Sequence, residues 1–290
     1  MSGLLAAARK HWFGWSVLGL GFAFLYLPIL ILMVYSFNES KLATVWSGFS
    51  TKWYGVLMRD DAMLSAAWLS LKVAFWTATG ATVLGTLASL AMTRMQRFRG
   101  KTLFGALITA PLVMPDVILG LSLLLLFVSA SDLIAALFGG HIEAKGVLSI
   151  WIAHVTFTVA FVTVVVSSRM AELDKSLEEA AMDLGANRVK VFLLITLPII
   201  APALVSGWLL AFTLSLDDVV IASFVSGPGS TTLPIKVFSS VRRGLNPEIN
   251  ALATIMVLLV STIAVFSWWW MRRTELRRQR DMQLALQENG

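Results

Sequence analysis

Long uninterrupted runs of apolar residues are the strongest pattern in this chain. Six runs reach the roughly 20 residues that a helix needs to cross the hydrocarbon core of a bilayer. A transmembrane barrel would instead alternate apolar and polar residues over segments of about ten residues, so the pattern predicts helices. The predicted spans are Trp15–Phe37, Val73–Thr93, Leu103–Val128, Val147–Ser168, Ile199–Val225 and Ile249–Met271.

Composition supports an integral membrane protein. Of the 290 residues, 57% are hydrophobic and 14% are charged, whereas soluble domains have about 45–50% and about 25%. The first apolar run follows Arg9 and Lys10, but it is too long for a signal peptide and no small-residue cleavage site follows it, so we expect a retained helix. The absence of cysteine excludes disulfide frameworks, thiolate metal sites and cysteine nucleophiles.

The distribution of basic residues predicts the orientation. With the N-terminus inside, fifteen of the 23 Lys and Arg residues fall in inner segments and seven in outer loops. Positively charged residues concentrate on the cytoplasmic side of membrane proteins. We therefore expect both termini in the cytoplasm, with a basic tail over residues 272–290 that contacts anionic lipid.

Four ionisable residues interrupt the predicted spans: Asp116, His154, Asp217 and Asp218. Ionised carboxylates are costly in hydrocarbon, so such residues usually face a bundle interior or a water-filled cavity. Neighbours on a helix diverge by about 100°, and the repulsion between Asp217 and Asp218 would be relieved by a cation. These acids are therefore candidates for a cation path.

Each of these residues also has a structural alternative. The two neighbouring acids could make a hydrogen bond between helices or a salt bridge to Arg242. Asp116 follows Pro115 and could satisfy backbone groups freed by a kink. His154 fits a packed, hydrogen-bonded histidine better than a proton relay.

The predicted inner loop over residues 169–197 has the pattern of a helix–turn–helix. Leucine and alanine recur there at helical spacing, with charged residues on the other face and a buried apolar seam expected between the helices. Gly185 is predicted to end the first helix and Asn187 to cap the second, while Pro198 marks the start of the fifth span. The pattern alone leaves open whether this hairpin rests on the membrane or forms a docking surface.

Specific residues in this loop resemble the coupling signature of ABC importer permeases. The chain reads Glu179-Ala180-Ala181, then Gly185, then Ile195-Thr196-Leu197-Pro198, at the spacing of that family. Further segments are similar to the polyamine branch of the family. They are Met114-Pro115-Asp116, Leu214-Ser215-Leu216-Asp217-Asp218 and Ser226-Gly227-Pro228-Gly229.

The resemblance implies an all-α polytopic membrane protein of the type I importer fold. It has six transmembrane helices, both termini in the cytoplasm, and a cytoplasmic coupling helix between helices 4 and 5. The resemblance also divides the chain into three segments. Residues 1–64 hold the first span and the first periplasmic loop, residues 65–271 form the transmembrane domain with coupling loop 169–198, and residues 272–290 form the tail. The residues expected to couple to an ATPase are Glu179, Ala180, Ala181, Gly185, Ile195, Leu197 and Pro198.

The same resemblance implies a function in the bacterial inner membrane. The chain is expected to pair with a homologous permease, two copies of a cytoplasmic ATPase and a periplasmic polyamine-binding protein, and to carry putrescine, with spermidine or another small cation as the alternative. Asp217, Asp218 and Asp116 are the candidates to line the substrate path. ATP and Mg²⁺ would bind the ATPase, so no cofactor is expected in this chain.

Sequence motifs for catalysis are missing. Gly100-Lys101-Thr102 resembles the end of a phosphate-binding loop, but Met95 stands where that motif needs glycine. No metal constellation, serine nucleophile elbow or dinucleotide-binding glycine pattern occurs, and nucleic-acid binding is not expected. A non-catalytic subunit is predicted. A self-sufficient cation-coupled transporter and a membrane scaffold are the alternatives.

Overall fold

The computed structural model describes residues 2–41, 45–95, 98–139, 143–243 and 247–288. Side chains are described from Trp12 onward, with gaps near the C-terminus that include most of the predicted basic tail. The helices in these residues are α1 (Ser2–Tyr35), α2 (Lys52–Leu57), α3 (Asp61–Arg94), α4 (Lys101–Val113), α5 (Asp116–Phe138), α6 (Val147–Glu172), α7 (Lys175–Asp183), α8 (Arg188–Val191), α9 (Leu197–Asp217), α10 (Val220–Val225), α11 (Leu233–Arg243) and α12 (Pro247–Glu288).

The described residues contain five helical segments long and apolar enough to cross a membrane: Trp12–Tyr35, Asp61–Arg94, Asp116–Phe138, Val147–Glu172 and Arg188–Asp217. No strand forms in this part of the chain; Asn38 and Phe49 make one isolated bridge. The predicted all-α membrane class is confirmed. The sixth predicted span lies in α12, whose described apolar stretch is Pro247–Thr262.

The third predicted span, Leu103–Val128, is wrong as a single helix. Met114 and Pro115 have extended backbone conformations and separate α4 from α5. Proline has no backbone N–H and disfavours the helical conformation in the residue before it, so Met114 leaves the helix. The apolar run masked this break, and α5 continues to Phe138, beyond the predicted end.

The fifth predicted span, Ile199–Val225, is also wrong at both ends. It begins earlier because α8 continues through a π-helical turn, Phe192–Thr196, into α9 without a break at Pro198. Proline removes a hydrogen bond inside a helix, and a π-helical turn is one way to accommodate this irregularity. The span ends at Asp217, because Asp218 is extended before the short helix α10 begins.

Contacts divide the chain into two compact units, Met1–Asp61 with Ser240–Gly290, and Ala62–Ser239. In the first unit, α12 packs against α1 and α2. The predicted outer loop after α1 is held by its own aromatic residues: Trp53 is buried and donates from Nε1 to Asn38 O at 2.7 Å, and the Tyr54 hydroxyl lies 2.7 Å from Ser36 Oγ. The functional segments predicted at 1–64, 65–271 and 272–290 remain a prediction.

The second unit is organised around α6. One apolar cluster joins α3, α5, α6 and α10 through Val73, Leu123, Ile150 and Ile221. Another cluster joins α3, α6 and α9. Small residues let α3 approach α6 closely: Ala78 and Ala81 are fully buried, and a Cβ added at Gly85 would meet Val162 Cγ1 at 2.8 Å.

Candidate functional site

The break between α9 and α10 is built around Asp218. The carboxylate of Asp218 accepts hydrogen bonds from the backbone amides of Ile221 at 3.2 Å and Ala222 at 2.7 Å. The first amides of a helix have no partner within the helix, and a carboxylate there also favours the helix dipole. Asp218 therefore satisfies the first amides of α10, which begins at Val220, three residues after α9 ends at Asp217.

A buried histidine from α6 fixes the same carboxylate. His154 Nε2 lies 3.1 Å from Asp218 Oδ2, and its Nδ1 lies 2.7 Å from Ser215 Oγ. His154 and Ser215 are 1% and 5% exposed. Both ring nitrogens of His154 therefore have a hydrogen-bond partner. The prediction that His154 is a hydrogen-bonded histidine is confirmed.

The two neighbouring aspartates therefore have different surroundings. The carboxylate of Asp218 is hydrogen-bonded to one imidazole and two backbone amides, whereas Asp217 is exposed. No ion pair reaches Asp217 within the described part of the chain. Of the two carboxylates, Asp217 is the one available to a ligand.

Asp116 lies at a second helix break. It is the first residue of α5 and is exposed. One turn later, Gly120 packs against α10, where an added Cβ would meet Phe224 Cδ2 at 2.7 Å. The start of α5 therefore packs on the helix that Asp218 caps. Broken helices of this kind form ion and substrate sites in many transporters.

The segment after α6 forms the predicted helix–turn–helix. Asp174 caps α7: the backbone amide of Ser176 donates to Asp174 Oδ1 at 2.9 Å and holds the pKa of that carboxyl below its usual range. Gly185 has a φ of +88°. The amides of Gly185 and Ala186 bond to the carbonyls of Met182 and Ala181, which completes a Schellman motif. Asn187 Oδ1 accepts from the Lys190 amide at 2.8 Å, so both predicted caps are confirmed.

Of the leucines and alanines that make up the predicted buried seam, only Leu173, which precedes α7, is buried, so the prediction is wrong for α7 itself. No residue of α7 is buried. Leu177 and Leu184 are 48% and 90% exposed, because α7 packs chiefly on the short segments that follow it, α8 and the π-helical turn. An open pocket of about 830 Å³ lies between α7, α8 and the end of α3.

The coupling signature divides between two environments. Glu179 and Ala180 are exposed on α7, Ala181 is half-buried, and Gly185 is exposed at its end. Ile195 belongs to the π-helical turn, and Leu197 and Pro198 begin α9. The structure thus brings only the first half of the signature together on one exposed surface.

Sequence reasoning missed the residue that attaches α7 to the membrane helices. Glu178 Oε2 lies 3.0 Å from Arg94 Nε at the end of α3, and Glu178 Oε1 accepts from Thr196 Oγ1 at 2.8 Å. As one of the charged residues of the hairpin, Glu178 was predicted to lie on its exposed face. The sequence did contain a signal for this contact. Glu178 lies next to an apolar position of α7, and the basic end of α3 is predicted on the same side of the membrane as α7. Both features favour an ion pair.

No group of three or more metal-ligating side chains occurs among the residues whose positions are described. The structure instead has an exposed carboxylate, Asp217, at a helix break and an exposed helix, α7, that is joined to its neighbours by short connections. It is suited to binding and movement.

Comparison with known proteins identifies the family. The profile of the binding-protein-dependent transport system inner membrane component family matches residues 81–280. The chain belongs to this family. The predicted resemblance to permeases of binding-protein-dependent importers is therefore confirmed.

Two curated relatives come from Escherichia coli (strain K12). The putrescine transport system permease protein PotI is 61% identical over 93% of this chain and 94% of its own length. The spermidine/putrescine transport system permease protein PotC is 43% identical over 85% of this chain and 89% of its own length. The likeness to PotI extends beyond the family profile into α1 and the loop after it, because 93% of the chain is covered.

Solved structures support the fold. A bacterial ABC transporter involved in the import of the acidic polysaccharide alginate contains a chain with a TM-score of 0.66 at 15% identity, covering 90% of this chain and 95% of that one. The bacterial alginate ABC transporter in complex with an alginate pentasaccharide-bound periplasmic protein also contains a similar chain. Its TM-score is 0.70 at 15% identity, covering 89% of this chain and 93% of that one. At this identity the likeness concerns the fold alone.

Proposed function

We propose that this chain is the membrane-spanning permease subunit of an ATP-driven importer and that its substrate is putrescine. The observation that carries the proposal is the 61% identity to a putrescine permease over nearly the whole chain. Identity to a permease named for both spermidine and putrescine is lower, at 43%. Both relatives transport polyamines by name, so a small organic polycation is the substrate class.

The proposed topology has six transmembrane helices with both termini in the cytoplasm of a bacterial cell. Five helical segments of sufficient length, together with the apolar first part of α12, support this number. The excess of Lys and Arg on the side of the termini supports the orientation. In this orientation α7 and the end of α3 lie on the cytoplasmic face.

The partners follow from the exposed α7. We assign its outward surface, with Glu179 and Leu184, to a cytoplasmic ATPase that binds ATP and Mg²⁺, present in two copies. A homologous permease would complete the path, and a periplasmic polyamine-binding protein would deliver the substrate. Leu184 supports an occupied surface, since an apolar side chain left 90% exposed in this chain gains free energy when a partner covers it.

For the path, Asp217 is the proposed counter-charge for one ammonium group and Asp116 the second candidate. Both are exposed and both lie at helix breaks. The contacts of Asp218 support a role in holding the break instead. Attraction of this kind favours a diamine over a neutral solute because each ammonium group gains an ion pair.

The experiment is uptake of labelled putrescine by cells with and without the gene, with unlabelled spermidine as competitor. Loss of uptake on deletion, restored by the wild-type gene, supports the proposal. Glu179→Lys should abolish uptake, whereas Glu172→Lys, a charge reversal at the exposed glutamate that ends α6, is the matched control and should retain it. Asp217→Asn should weaken uptake.

Other outcomes separate the alternatives. Full competition by spermidine and greater spermidine uptake would move the assignment to that substrate. Uptake that persists without ATP but collapses with an uncoupler would indicate a self-sufficient secondary transporter. Normal putrescine uptake after deletion, in a strain with no second importer, would overturn the substrate assignment.

A further inference from the structure

One carboxylate connects α7 to two membrane helices. Glu178 Oε1 and Oε2 lie 3.1 and 3.0 Å from Arg94 Nε, and Oε1 also accepts the hydroxyl hydrogen of Thr196 at 2.8 Å. Arg94 is the last residue of α3, and Thr196 is the last residue of the π-helical turn before α9. We call these three residues the Glu178 cluster.

This cluster is shielded from solvent although the helix that carries it is not. The side chains of Arg94 and Glu178 are 16% and 15% exposed, and Thr196 is 2% exposed. Apart from Glu178 and the half-buried Ala181, every residue of α7 is exposed. Charged hydrogen bonds shielded from water are stronger and more strictly oriented than surface pairs. Glu178 is therefore the firmest side-chain link that the described contacts give between α7 and the membrane helices.

We propose that Glu178 is a positioning residue that transmits movement of α7 to the ends of α3 and α9, while its neighbour Glu179 faces the ATPase. This inference rests on the proposed function. When the ATPase displaces α7, the carboxylate of Glu178 carries the guanidinium of Arg94 and the hydroxyl of Thr196 with it. The movement thereby reaches the start of the helix that ends at Asp217.

The π-helical turn fits this role. In the π-helical turn Phe192–Thr196 the backbone hydrogen bonds join residues five apart instead of four apart. Turns of this kind are frequent at functional sites. Thr196 is the contact point between this turn and Glu178. Without the cluster, the turn can absorb a displacement of α7 that would otherwise move α9.

The test uses the complex that carries the full chain, purified through a tag on it and reconstituted in proteoliposomes with the binding protein. Putrescine imported per ATP hydrolysed is the measured quantity. For Glu178→Gln we expect ATP hydrolysis to continue and import per ATP to fall about 2- to 30-fold, the range found for residues that carry coupling. A role in assembly alone would lower both rates together and leave the ratio unchanged.

Three further variants make the test specific. Arg94→Glu with Glu178→Arg restores the ion pair in reverse but not the hydrogen bond from Thr196, because arginine has no acceptor, so it should recover part of the ratio. Glu172→Gln removes an exposed pair with Arg169 at 3.0 Å, a matched control that should change nothing. Thr196→Val removes one hydrogen bond and leaves the ion pair intact, so it supplies the test if Glu178→Gln does not reach the membrane.

The outcomes are distinct. An unchanged ratio in Glu178→Gln, or in Thr196→Val if the first variant is absent from the membrane, overturns the inference. A charge reversal that restores the amount of complex but leaves the ratio as low as in Glu178→Gln also overturns it. If the wild-type complex shows no ATP-dependent putrescine import, the proposed function fails first, and this result is independent of any variant.

Discussion

His154 in α6 holds Asp218 through a contact of 3.1 Å between Nε2 and Oδ2. The same imidazole contacts Ser215 on the last turn of α9, and Asp218 in turn accepts hydrogen bonds from the first turn of α10. Three helices therefore meet at one buried polar group. The consequence is a fixed geometry at the break where Asp217 is exposed.

This arrangement predicts different effects of the two neutralised aspartates. Asp217→Asn should leave the melting temperature of the purified protein unchanged and raise the KM for putrescine uptake about 2- to 5-fold, the equivalent of a partly exposed ion pair. Asp218→Ala should lower stability by about 1.5–3 kcal/mol, because His154 and two backbone amides lose a charged partner. Uptake kinetics and thermal melts in detergent distinguish them. Equal changes in KM and stability for both variants would contradict this division of roles.

The histidine is predicted to act through stability. His154→Phe keeps a ring in the cavity but leaves Ser215 and Asp218 without their partner, so we expect a loss of about 1–3 kcal/mol. Ser215→Ala should also cost about 1–3 kcal/mol, because it leaves the buried Nδ1 of His154 without its partner. Thermal unfolding measures both. A His154→Phe variant as stable as the wild type would show that the contact contributes nothing.

The sequence predicted the all-helical class because its continuous apolar runs have the length that a helix needs to cross the bilayer. It indicated a kink at Pro115 but not the end of the helix there, and it did not predict the break at Asp217–Asp218, since both positions lie inside continuous apolar runs. The caps at Gly185 and Asn187 were predictable because they depend on local backbone chemistry. The contact of His154 with Asp218 spans 64 residues, and nothing local specifies it.

The hairpin of α7 and α8 gives a second example. Periodicity correctly placed an amphipathic helix at α7 but wrongly assigned its apolar residues to a buried seam. Periodicity identifies an apolar face, not what covers it. Glu178 shows the converse case, since its charge suggested solvent, whereas its side chain is only 15% exposed.

The exposed surface of α7 predicts a specific loss of ATPase binding. Leu184→Ser should leave the chain stable in the membrane, because Leu184 is 90% exposed and loses no internal packing. It should weaken association with the ATPase about 10- to 150-fold, since burying a leucine is worth about 1.5–3 kcal/mol. ATPase recovered with the tagged chain measures this. Leu137→Ser, at a 66% exposed leucine of α5, is the control and should retain the ATPase. Equal recovery with both variants would remove α7 as the docking surface.

The approach of α3 to α6 gives a prediction about packing that is independent of transport. Gly85→Ala should destabilise the protein by about 1–3 kcal/mol, because the new Cβ would lie 2.8 Å from Val162 Cγ1 and 3.2 Å from the Thr163 backbone nitrogen. Val162→Ala in the same chain should recover little of this loss, because it removes Cγ1 but keeps Val162 Cβ, which would lie 2.9 Å from the new Cβ. Gly19→Ala is the matched control, since nothing lies within 4 Å of its added Cβ. Thermal melts of the three variants decide the matter: a Gly85→Ala protein that melts with the wild type would mean that the two helices can separate at no cost.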